Sequence, residues 1–68
     1  MSVLVFNNIR ALRVSKKITQ EDLANEIGVT RQTIIAMEKG NYVPSVMLAL
    51  KISLFFKKPV ESIFTLEI

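Results

Sequence analysis

Residues 19–38 read TQEDLANEIGVTRQTIIAME, two amphipathic segments that each open on a threonine and meet at Gly28. Thr19 and Thr30 are helix-capping residues, because a threonine hydroxyl accepts from the free amides of a first turn. Leu23, Ala24 and Ile27 share one face of the first segment, and Ile34 and Met37 share one face of the second. Gly28 stands where a helix must stop and the chain turn sharply, which favours a residue at ease with positive φ. The second helix then starts with Arg31 and Gln32, the side chains best suited to guanine and adenine edges in a major groove. Paired helices around a glycine are common. The polar start of the second one makes this pair a candidate DNA reader.

The face that would do the reading follows from helical geometry. With Arg31 at zero and about 100° per residue, Arg31, Gln32, Ile35, Ala36 and Lys39 fall within roughly 140°. Ile34 and Met37 lie opposite, with Thr33 at the border. Arg31 can donate two bonds to guanine O6 and N7, Gln32 can pair with adenine, and Ile35 can touch a thymine methyl. A solvated polar helix is the plain alternative. Ile35 argues against it, because an apolar side chain within a polar sector wants a partner.

Outward from this stretch, residues 3–6 and 63–68 are β-branched and apolar and read as two short strands at the termini, paired with each other. Asn7 is a cap for a first helix of about ten residues, with Ile9 and Leu12 inward and Lys16 and Lys17 complementing its C-terminal end. Gly40 and Asn41 end the third helix, and the residue before Pro44 is held extended. Ser45 caps a fourth helix to about Phe56. Pro59 suits the first position of a last short helix over 60–63. The fourth helix buries Leu48, Ile52 and Phe55, yet Met47, Leu50 and Leu54 follow helical spacing on its other side. A helix apolar nearly all round is covered on two sides.

The 68 residues leave room for one domain, 1–68, with a core that is marginal at this size. There is no cysteine and no histidine, so disulfides and thiolate or imidazole metal sites are excluded. No cofactor, metal or small-molecule ligand is expected. An enzyme is not expected either, since the only clustered carboxylates, Glu21, Asp22 and Glu26, belong to helix two, whose N-terminus attracts acidic residues. Half the chain, 50%, is apolar, more than so small an interior needs, and the excess reads as surface for a second copy. The net charge of +3 suits a polyanion. Lys51 interrupts the most apolar stretch well short of the roughly 20 residues a bilayer requires. The first residues lack the basic start and long apolar core of a signal peptide. A soluble cytoplasmic protein is expected.

Read as a whole, TQEDLANEIGVTRQTIIAMEKGNYVPS resembles the Cro and repressor-like (XRE-type) helix-turn-helix regulators, with TQ-x-x-LA, GV-[ST]-R-Q-T-I and E-x-G-x-x-x-P-S in order. VFNNIRALR, LALKI and PVESIF are similar to the shortest stand-alone members, above all the small dimeric repressors of cytolysin operons. The resemblance implies an all-α fold of five helices plus a short two-stranded antiparallel sheet from the termini. It also implies a homodimer on a two-fold operator of double-stranded DNA, with helix three in the major groove. Carried over by position, Arg31 and Gln32 would read bases, and the helical wheel sets Ile35 and Ala36 beside them as further base contacts. Gln20, Thr30, Lys39, Asn41 and the backbone near Tyr42 would meet phosphates. Arg13 would pair with Glu38 as a scaffold ion pair. Apart from the resemblance, the apolar outer row of helix four, Met47, Leu50 and Leu54, together with Phe64, reads as the dimer interface.

This sequence departs from the family pattern at several positions. Ala36 stands where many relatives carry a longer polar side chain, which points to a shorter site. Lys57 replaces the glycine or asparagine usual after helix four, and Met47 and Leu54 are usually polar. The reading is a homodimeric transcriptional repressor. Its rivals are an antitoxin-like module that autoregulates through DNA, and an interaction domain that kept the fold and lost DNA binding.

Overall fold

Two short strands close the fold by joining its ends. In the computed structural model, which describes residues 4–67, β1 (Leu4–Asn7) pairs antiparallel with β2 (Phe64–Glu67). The register sets Leu4 against Glu67, Val5 against Leu66, Phe6 against Thr65 and Asn7 against Phe64. Between them run α1 (Ile9–Ser15), α2 (Gln20–Ile27), α3 (Arg31–Glu38), α4 (Val46–Phe56) and α5 (Val60–Ile63). The order and number of elements match the sequence reading. The expected strand residues Val3 and Ile68 lie outside the described residues.

Asn7 does more than cap. Its Oδ1 accepts from the Ile9 amide at 3.1 Å, while its Nδ2 donates to the Met37 carbonyl at 2.9 Å. The N-cap position itself belongs to Asn8, which makes no side-chain cap bond. Asn8 instead reaches α5 and the end of β2's lead-in, donating from its amide to Ile63 O and from Nδ2 to Ser62 O. Two asparagines thus fasten the start of the chain to the end of α3 and to α5.

Each helix gives the core one apolar row. Ile9 comes from α1, Leu23, Ala24 and Ile27 from α2, Ile34 and Met37 from α3, and Ile63 from α5. From α4 come Leu48, Ile52 and Phe56. The expected Phe55 is half-buried instead. Leu48, Ile52 and Phe56 recur every four residues, so the inward row of α4 passes through Phe56. Phe55 lies beside it, its ring edge-on to Phe56 at 5.0 Å and beneath the Lys16 ammonium at 5.3 Å.

The four longer helices all end in the same way. After each, one residue takes a left-handed or helix-reversing position and the next amide reaches back to a carbonyl five residues earlier. Val29 donates to Ala24 O, Asn41 to Ala36 O, Ile18 to Arg13 O and Lys58 to Ser53 O. Two of the pivots are Gly28 (φ 77°) and Gly40 (φ 81°), and two are Lys17 (φ 60°) and Lys57 (φ 56°). The turn at Lys17 stops α1 at seven residues, short of the ten expected. Pro59 occupies the N-cap of α5 and not its first helical position, because Lys58 is still engaged in ending α4. A left-handed conformation costs an ordinary L-residue roughly 1–2 kcal/mol, which glycine escapes. Lys57→Gly is therefore expected to stabilise the fold by about 1 kcal/mol, read from the midpoint of urea unfolding.

Candidate nucleic-acid interface

Local capping chemistry sets the angle at which α2 and α3 meet. Thr19 Oγ1 accepts from the Asp22 amide at 3.0 Å and Asp22 Oδ2 accepts from the Thr19 amide at 2.9 Å, a reciprocal box that satisfies two free donors. The bond from the Thr19 amide, supported by the Thr19 hydroxyl, holds the Asp22 carboxyl below its ordinary range. At the other end Gly28 turns the chain, and Thr30 starts α3 by accepting from the Thr33 amide at 3.4 Å. The Thr30 and Thr33 hydroxyls also share a hydrogen bond of 3.2 Å.

So placed, α3 presents two unlike faces. Ile34 and Met37 are fully enclosed, both 0% exposed. Arg31, Gln32 and Lys39 are exposed, and Ile35, Ala36 and Thr33 are half-buried between. The exposed side borders a groove formed by the end of α1, the start of α2 and α3. Arg10, Lys17, Arg31 and Lys39 ring that groove, and Ile18 and Ile35 lie along it. Arg10 received no role from the sequence, and Lys17 only that of complementing the end of α1. The run of basic residues at 10–17 was the signal available for them.

The groove rests on a buried ion pair. Arg13 Nε donates to Glu38 Oε2 at 2.7 Å and Nη2 to Oε1 at 3.2 Å, with the two side chains 13% and 6% exposed. Arg13 Nη1 also donates to the Ile18 carbonyl at 3.0 Å, just ahead of the Thr19 cap. The hydrogen bond to Glu38 raises the Arg13 pKa above its ordinary value. Gln20 joins the pair, its Nε2 donating to Glu38 Oε1 at 3.2 Å.

The remaining candidate residues separate by location. Asn41 and Tyr42 are exposed in the segment after α3, where the Asn41 amide is already taken by Ala36 O at 2.9 Å, leaving its side chain for any ligand. Met47, Leu50 and Leu54 are 67%, 56% and 80% exposed along the outer face of α4. Val46, 77% exposed, extends the same stripe and was missed by the sequence reading, since a first-turn valine carries no periodic signal of its own. Phe64 is half-buried against the core.

A helix-turn-helix family profile matches residues 9–63. The chain belongs to the helix-turn-helix family. It is 52% identical over 61 residues to an uncharacterised helix-turn-helix-type transcriptional regulator of Methanocaldococcus jannaschii, covering 90% of this chain and 92% of that one. Against the uncharacterised regulator YgzD of Bacillus subtilis the figures are 49% identity over 61 residues, with 90% and 92% coverage. The cryptic phage CTXphi transcriptional repressor RstR of Vibrio cholerae is 39% identical over 54 residues, 79% of this chain and 49% of RstR. In fold, the chain is similar to a Bacteroides fragilis protein described as a candidate DNA-binding protein, with a TM-score of 0.80 at 19% identity, covering 91% of this chain and all of that one. These names are those of regulators, not of enzymes. No helix among the described residues is long and apolar enough to cross a membrane.

The capping box gives a pH test. The Asp22 carboxyl is lowered from an ordinary 3.8, so its contribution to stability is complete above that value and disappears as pH falls through the lower folded-state value. Asp22→Ala should be less stable than the parent near neutrality, with the gap closing in strong acid. Urea midpoints for both proteins across the acid range check this. A gap that stays constant would mean that the carboxylate does not support the cap.

Proposed function

We propose that the chain is a sequence-specific double-stranded-DNA-binding transcriptional repressor of the cytoplasm, working as a homodimer on a two-fold operator with α3 in the major groove. The observation that carries the reading is the division of α3: Ile34 and Met37 are sealed inside, whereas Arg31, Gln32 and Lys39 are exposed, Arg31 and Lys39 on the rim of the basic groove. On this reading Arg31 takes guanine, Gln32 takes adenine, Ile35 meets a thymine methyl, and Ala36 brings a small apolar surface to the bases. Gln20, Thr30, Lys39, Asn41 and Tyr42 attach the protein to the phosphates of both strands. RstR, named a repressor, supports the sign of the effect.

Homodimerisation rests on the outer face of α4. Val46, Met47, Leu50 and Leu54 form a continuous apolar stripe there, and Met47, Leu50 and Leu54 recur at the three- and four-residue steps of a helix–helix seam. Phe64 completes the interface from β2. The two recognition helices of the dimer would then be set about 34–36 Å apart, one helical turn of DNA. The same stripe also favours a second reading, an antitoxin-like module in which α4 binds a different protein. A self-associating chain in isolation argues for the first reading.

Two experiments test the proposal. Duplexes selected from a random pool, and their single-base variants, are titrated with each protein at two salt concentrations. Gln32→Ala should lose about 1–3 kcal/mol on the best site and relax one base position in each half-site. Lys39→Ala should weaken all sequences alike and flatten the salt dependence, since a phosphate contact reads no sequence. Identical behaviour of the two variants would place the reading face elsewhere. For the dimer, Leu54→Glu sets a charge in the apolar stripe and should sediment as a monomer at micromolar concentration where the parent sediments as a dimer. A folded Leu54→Glu dimer would move the interface off α4.

A further inference from the structure

Glu38 is held in a way that a scaffold ion pair does not require. Its side chain is 6% exposed, whereas Glu21, Asp22, Glu26, Glu61 and Glu67 are all exposed. Arg13 already satisfies both of its oxygens through a two-pronged contact. The third donor, Gln20 Nε2, comes from another helix and lies at the wall of the basic groove. A carboxamide nitrogen carries two hydrogens in fixed directions within one plane. When one of them is committed to Glu38, the heading of the other is set as well. Gln20 makes no other side-chain hydrogen bond among the described residues.

We infer that Glu38 is a positioning residue for DNA: it anchors the Gln20 amide through one N–H so that the other is already aimed at a backbone phosphate. The inference rests on the DNA-binding reading above and assigns Glu38 a part in binding beside its part in the scaffold. Ordering a long side chain upon binding weakens association by about three- to tenfold. A glutamine held in place beforehand avoids that loss. The chain of contacts also links α1 to the phosphate, since Arg13 fixes Glu38, and Glu38 fixes Gln20.

The test is a mutant cycle on binding to a labelled random-sequence duplex, measured by fluorescence anisotropy. Gln20→Ala is made in the parent and in Arg13→Met/Glu38→Leu, where apolar side chains replace the ion pair; at buried sites such exchanges are often neutral or stabilising. In the parent, Gln20→Ala should weaken binding about tenfold, the scale of a hydrogen bond to a charged group. Without Glu38 the same change should cost about threefold or less, because the glutamine is no longer held. Equal losses in the two backgrounds would overturn the inference and leave the DNA-binding reading intact. Failure of the parent to bind any duplex would remove both. If the ion-pair replacement does not fold, the side-chain amide spectrum of the parent decides. The Gln20 Nε2 proton bound to Glu38 should be slowed in exchange before DNA is added, and the other alone should move when the duplex binds. Two rapidly exchanging protons, or two that move together, would overturn the inference.

Discussion

The contact between Arg13 and Glu38 is the constraint on which the remaining geometry depends. It ties the last turn of α1 to the end of α3, and Arg13 Nη1 fixes the carbonyl of Ile18, from which α2 starts. Replacing such a pair as a unit is often tolerated, but removing one partner leaves a charge largely shielded from water and without its counter-ion. The pair therefore adds less to stability than it does to orientation. The three helices that shape the groove share one ionic junction, and the side chains that would meet a ligand stand around it.

Above that junction the two sides of the molecule divide the work by chemistry. Arg10, Lys17, Arg31 and Lys39 gather on the groove side. The outer face of α4 carries no charge between Val46 and Leu50 and is strongly apolar. A small core cannot hold all the apolar side chains of this sequence, and α4 takes the surplus on one side. The basic rim and the apolar stripe are carried on separate elements, so either can be altered with little direct effect on the other.

Much of the fold was legible because capping and periodicity are local. Thr19, Gly28, Thr30, Ser45 and the apolar rows around Leu23 and Ile34 mark their helices within a few residues of where they lie. Lysine carries no such mark, so the left-handed pivots at Lys17 and Lys57 could not be found by propensity, and α1 ran too long on paper. The exchange of Phe55 for Phe56 came from phase: adjacent phenylalanines both suit a buried row, and only packing against Leu48 and Ile52 chooses between them. In the candidate site, the exposed face of α3 followed from the helical wheel. The bond from Gln20 to Glu38 did not, because residues in different helices have no spacing rule, and neither did the place of Arg10 and Lys17 on the groove.

The strand pairing at the ends of the fold has a kinetic consequence. Leu4 and Glu67 are partners across nearly the whole length of the chain, so translation delivers β1 first and β2 only after all five helices. Closing so large a loop in an unfolded chain is entropically unfavourable. Once α1 and α5 have docked, the bond from Asn8 to Ile63 already holds the two strands at arm's length, and only a few residues remain to be ordered. The helical bundle is expected to assemble ahead of the sheet, which then acts as a late clasp. A chain stalled before residue 64 would keep its helix-turn-helix sequence but lack the clasp, with the Asn7 end of β1 unpaired and open to the wrong neighbour.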